Sequence, residues 1–125
     1  MSRNLKDYLP KELIVGSYTY EIIIKSLREK KENNYGLCNF SEKQIFLSDE
    51  LEFDLDSKNW KITIETFLHE CLHAYDELYG LHSDFYEVKK EQMEEMFVDF
   101  HARILIQMIP ENPSIVTLLT LLLKS

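Results

Sequence analysis

Glycine and proline are scarce, with three of each in 125 residues. That scarcity excludes a Gly-rich phosphate-cradling loop and leaves no flexible linker to divide the chain, so one domain spanning 1–125 is expected. Cysteine is limited to Cys38 and Cys71, too few for a disulfide framework; both are expected to stay reduced in a cytoplasm. Long apolar runs are missing as well. The longest, Ile115 to Leu123, is interrupted by Thr117 and Thr120 and falls well short of the roughly 20 residues of a membrane-spanning helix. Met1 to Lys11 is polar and has no signal-peptide core. Positive charge is the minority: 14 basic against 22 acidic residues, net −8. Such a surface repels phosphate backbones and anionic lipid, so neither nucleic acid nor membrane is an expected partner. No serine-nucleophile motif occurs.

What is present is core-forming material: 45% apolar residues, including seven Tyr and seven Phe, enough to offset the entropy of ordering the chain. The pattern changes near residue 56. Before it, Tyr18, Tyr20, Ile22 and Ile24 recur with a period of two after a Gly16-Ser17 break, which reads as a hairpin over Glu12 to Lys25. Leu37 to Phe40 and Gln44 to Leu47 flank the polar Ser41-Glu42-Lys43 and read as a second hairpin. After it, Trp60, Ile64, Phe67, Leu68, Cys71, Leu72, Tyr75, Leu78 and Tyr79 recur at helical spacing. Asp56 or Ser57 can cap this helix and Gly80 can end it. A second helix is expected from Asp84, with Glu87 completing a capping box, to a stop at Pro110. Asn112-Pro113 suits the start of a short third helix, Ser114 to Lys124, apolar almost all round, which reads either as an oligomer contact or as burial in this chain's own core. Strands followed by helices give an α+β fold.

The first long helix contains His69-Glu70-Cys71-Leu72-His73. Two histidines four apart share a helix face and can converge on one ion. Glu70 projects beside them, where a carboxylate can take the proton of a zinc-activated water without ligating the metal. Both histidines lie about 100 to 140° from the apolar stripe, at about 100° per residue. Two solvated helix histidines are the plain alternative, but the offset suits the floor of a cleft. Cys71 points into the stripe and reads as core packing; Cys38 has no partner at ligand spacing.

A catalytic zinc site needs a third protein ligand, and the second helix offers Glu91, Glu94, Glu95, Asp99 and His101. Its apolar face is set by Met93, Phe97, Phe100, Ile104 and Met108. Glu94 falls about 60° from that face, Glu91 about 120°, and Glu95 and Asp99 about 160°. Phase therefore favours Glu94, while Glu95 with Asp99 imitates a ligand–orienter pair and stays open. His101 is a third ligand, a transition-state donor or a core histidine. Asp76 can orient a ligand histidine or be a surface acid. His82 and Asp84 are read as loop and cap residues outside the site.

The stretch Thr66-Phe67-Leu68-His69-Glu70-Cys71-Leu72-His73-Ala74-Tyr75-Asp76, with Gly80-Leu81 beyond it, resembles that of small phage-associated zincin-like proteins related to the ImmA/IrrE-type metallopeptidases. Glu91-Gln92-Met93-Glu94-Glu95 is similar to the segment that supplies their third ligand, which implies Glu94. The resemblance implies a minimal zincin: three or four strands packed on two long helices plus a short C-terminal helix. It further implies zinc held by His69, His73 and Glu94, Glu70 as base, and a protein or peptide substrate paired along a sheet edge, for which Gln44 to Leu47 is the candidate. Tyr75, Tyr79 and His101 are candidate oxyanion donors. The alternative function is a catalytically silent, metal-stabilised scaffold that binds a protein.

Overall fold

The computed structural model describes residues 2–27, 35–79 and 90–124, and within the last segment the side chains of residues 99 and 101–124. Strand β1 (Glu12–Val15) turns at Gly16 into β2 (Tyr18–Lys25), and β3 (Gly36–Asn39) forms a hairpin with β4 (Gln44–Ser48). Among the described residues, three helices follow: α1 (Trp60–Tyr79), α2 (Lys90–Glu111) and α3 (Pro113–Leu123). The fold is α+β, as the change of periodicity predicts.

The sheet is mixed, in the order β1-β2-β4-β3. The two hairpins are antiparallel, and β2 joins β4 in parallel with Ile22 opposite Ile45 and Ile24 opposite Leu47. Gln44–Ser48 is thus an interior strand, correcting its assignment as an edge; the edge of this hairpin is β3. The reason is the parallel β2–β4 pairing, a contact between segments that no local pattern encodes.

Gly16 has φ +62°, a left-handed conformation that glycine adopts without a Cβ penalty. The second hairpin connects Asn39 to Gln44 through four residues, one more than the sequence suggests, with Lys43 at φ 55°. Asn39 Oδ1 accepts from the Ser41 hydroxyl and the Glu42 N–H. The Lys43 ammonium donates to Phe40 O at 2.6 Å and lies over the rings of Tyr18 and Tyr20.

Alternate residues of the strands, Leu13, Val15, Tyr20, Ile45 and Leu47, meet Ile64, Phe67, Cys71, Ala74 and Tyr75 of α1 in one core. Ile104 and Met108 of α2 and Ile115, Leu118 and Leu121 of α3 complete it. The C-terminal helix therefore buries one face in this chain's own core. Each large side chain so buried contributes about 1.5–3 kcal/mol. Cys38 and Cys71 are free thiols.

Two helix boundaries differ from the sequence reading. Asp56 and Ser57 do not cap α1, which begins at Trp60; Asp56 accepts from Arg3 at 2.6 Å and the Ser57 hydroxyl donates to Asp54 O at 2.5 Å. Helix α2 runs one residue past the expected stop at Pro110, to Glu111, and Asn112 N donates to Met108 O at 3.0 Å beyond it. Asn112 takes the N-cap position of α3 with Pro113 first in the helix, as expected, but its side chain makes no cap hydrogen bond; its amide is used elsewhere, as described below. Gly80, Asp84 and Glu87 lie outside the described residues. No single helix among the described residues is long and apolar enough to cross a membrane.

Asn112 closes the β1 edge. Its Oδ1 accepts from Ile14 N at 2.7 Å and its Nδ2 donates to Ile14 O at 2.8 Å. The side-chain amide thus pairs with the outward N–H and C=O of an edge residue as a neighbouring strand would. Glu111 Oε2 accepts from Gly16 N at 3.1 Å, and the Tyr75 hydroxyl donates to Ile14 O at 2.7 Å. Among the described residues, β3 is the edge left without such a partner.

Candidate metal centre

Helix α1 carries the HExxH segment with its apolar side, including Phe67, Cys71 and Ala74, in the core. That anchoring sets the phase of the three polar residues: His69 is exposed, His73 half-buried and Glu70 buried. The imidazoles approach edge to face, 77° between planes, with Nε2 of His69 and Nε2 of His73 3.0 Å apart. Both nitrogens can be presented to one ion. At Zn–N distances of about 2.0–2.1 Å, tetrahedral ligation separates two nitrogens by about 3.3 Å, close to the spacing found.

Glu70 is 5% exposed, and its Oε2 has no hydrogen-bond partner among the described residues. A buried carboxylate oxygen without a donor is costly, and a cation or a water beside it relieves that cost. Burial pushes the Glu70 carboxyl above the usual carboxylate range, with His69 acting in the opposite sense. Donor atoms of His69, Glu70 and His73 all lie within 4.8 Å of one another. Nitrogen and oxygen donors at this spacing fit a divalent transition metal such as zinc.

The centre opens into a cleft of about 650 Å³ between β3 and α1, walled by Tyr35, Gly36, Cys38 and Phe40 on the sheet side and by Ile62 and Thr66 on the helix side. Gly36 pairs with Leu47, and Cys38 with Ile45, so both share the inward face of the sheet and look at the helix. The Cys38 thiol is pushed up to about 12 by burial, with the nearby Glu70 charge next in effect. It stays a neutral thiol near pH 7. Cys71 is fully buried and packs in the core, as its helical phase predicts.

The remaining candidates separate. Tyr75 is not an oxyanion donor: it is fully buried and its hydroxyl is spent on Ile14 O and, at 3.3 Å, on Glu111 Oε1. Burial and then Glu111 raise its phenol above the ordinary range. His101 is half-buried on α2 and does not join the cluster of His69, Glu70 and His73; Asp99 is exposed on the same helix. Asp76 is half-buried on α1, outside that cluster, and Tyr79, half-buried on the same helix, does not line the cleft described above. The backbone of Glu91, Glu94 and Glu95 belongs to α2, but their side chains, like His82 and Asp84 entirely, lie outside the described residues.

Sequence reasoning missed that Glu70 lies beneath the start of β3. The signal was the lone glycine between Tyr35 and Leu37, whose use depends on what faces it. No family model, no curated protein and no solved structure matches the chain.

Proposed function

We propose that the chain is a zinc-dependent metallopeptidase of minimal zincin architecture, acting on a protein or peptide in a cytoplasm. The observation that carries this reading is the pairing of two imidazole nitrogens 3.0 Å apart with a buried carboxylate, one oxygen of which has no partner among the described residues, all facing one cleft. His69 and His73 hold the metal, and Glu94 from α2 is the third ligand. When bound, the cation polarises a peptide carbonyl and lowers the pKa of water to about 7. Glu70 takes a proton from the attacking water and delivers it to the departing amine, so the carboxylate is regenerated. The β3 edge, Gly36–Asn39, offers backbone groups to an extended peptide laid along the cleft. Tyr35 and Ile62, each about half exposed at the rim, supply apolar walls for its side chains. The sequence resemblance to ImmA/IrrE-type metallopeptidases supports the same reading.

Metal analysis of the purified protein and mass-spectrometric detection of cleavage in a peptide library test it. The expected result is about one zinc per chain, lost in His69→Ala and Glu94→Ala, with cleavage abolished by a chelator. Glu70→Gln retains zinc and loses cleavage by about 10²-fold or more. A protein that binds zinc but cuts no peptide is a binding scaffold, and one that binds no zinc overturns the reading.

A further inference from the structure

The first residue of β3 is a glycine whose φ is not positive, so no left-handed conformation demands it. The reason for it is steric. A Cβ at position 36 would stand 2.9 Å from Glu70 Cγ, 2.9 Å from Thr66 Cγ2 and 3.3 Å from Glu70 Cδ. Neither neighbour yields easily. The Thr66 hydroxyl donates to Ile62 O at 2.8 Å, which pins its rotamer against the preceding helical turn. Glu70 Cγ is near the root of its side chain, and moving it swings the carboxylate. The strand is pinned as well: Gly36 is in register with Leu47, and Tyr35 O accepts from Ser48 N at 2.7 Å.

From these contacts we infer that Gly36 is a positioning residue for Glu70. The bare backbone of β3 lies directly on the Glu70 side chain and holds its carboxylate toward the two histidines, with Thr66 closing the other side. A side chain at 36 either lifts β3 from α1 or turns Glu70 away from the cleft. Only the kinetic consequence rests on the peptidase reading; the packing contact can be tested without it.

The test is a cycle of substitutions in the full chain, followed by urea denaturation of the metal-free protein. Gly36→Ala is expected to lower the denaturation midpoint, although alanine is ordinarily the better strand residue. In a Thr66→Ser/Glu70→Ala background, which removes both obstacles, the same change is expected to leave the midpoint unchanged or raise it. An equal loss in both backgrounds overturns the inference. If Gly36→Ala alone does not fold, the triple variant decides: folding supports the contact, and failure to fold overturns it. Where the wild type cleaves peptide, Gly36→Ala is expected to retain zinc and lower kcat at least tenfold with KM little changed. Gly36→Ala/Thr66→Ser is expected to recover part of that loss. Unchanged kcat in Gly36→Ala overturns the positioning role; absence of cleavage in the wild type overturns the peptidase reading and leaves the cycle standing.

Discussion

Replacing Asn112 by alanine removes the group that closes the β1 edge. The Ile14 N–H then loses its acceptor, and Met108 O loses a donor at 3.1 Å, while Ile14 O keeps the Tyr75 hydroxyl. One orphaned donor, with a small void where a 3% exposed amide stood, costs about 2–3 kcal/mol. That is a substantial part of a typical total of about 5–15 kcal/mol, equivalent to a melting temperature lower by roughly 6–15 °C. Asn112→Asp is the sharper probe because it keeps the shape. Its carboxylate can still accept from Ile14 N, but when ionised it faces Ile14 O, 2.8 Å from the present nitrogen, with the Glu111 carboxylate nearby. Burial and these neighbours raise the folded-state pKa of the new acid. Between its unfolded and folded pKa values the native state then binds the extra proton, so stability falls as pH rises. Urea midpoints measured from pH 4 to 7 should show Asn112→Asp losing ground to wild type as pH increases. A loss below about 1 kcal/mol in Asn112→Ala, or a pH-independent gap in Asn112→Asp, refutes the strand-mimicking strap.

Gly16→Ala places a Cβ at φ +62°, 3.2 Å from Leu78 Cδ2, and should destabilise by about 1–2 kcal/mol, with Gly16→Asn milder because asparagine visits this region; urea denaturation checks both. Burial raises the Tyr20 phenol to about 12 and the Cys38 thiol to about 12. The unfolded chain therefore releases these protons first, stability declines as pH climbs from about 9 toward 12, and Tyr20→Phe should flatten part of that decline. Cys38 should alkylate more slowly at pH 8.5 than an ordinary free thiol, as followed by mass spectrometry. Cys71→Ser should lower stability by about 1–3 kcal/mol, since it buries a hydroxyl in an apolar core, without loss of zinc; zinc loss in a folded Cys71→Ser would overturn its core assignment.

Local periodicity made much of this protein legible. The two hairpins, the long α1 and the inward phase of Cys71 follow from alternation and helical spacing, because both depend on residues a few positions apart. The HExxH pair is local in the same sense: two histidines four apart on a helix must share a face wherever that helix packs. Helix ends were read less well at Asp56 and Ser57, and Asn112 takes the N-cap position without the cap bond. Their side chains and backbone groups had alternatives that the chain only meets once folded, and Asn112 is the clearest case, its amide drawn from a cap to an edge strand 98 positions away.

By itself, then, the amino-acid order determined the kinds of elements, the inward phase of α1 and the presence of a two-histidine, one-carboxylate constellation on one helix. The tertiary structure alone decided that β4 is interior and β3 the edge, that Glu70 lies under Gly36, and that Tyr75 serves the β1 edge instead of the cleft. Those outcomes rest on strand order and on contacts between distant segments, where the free energy belongs to the packed pair and is invisible in either partner alone.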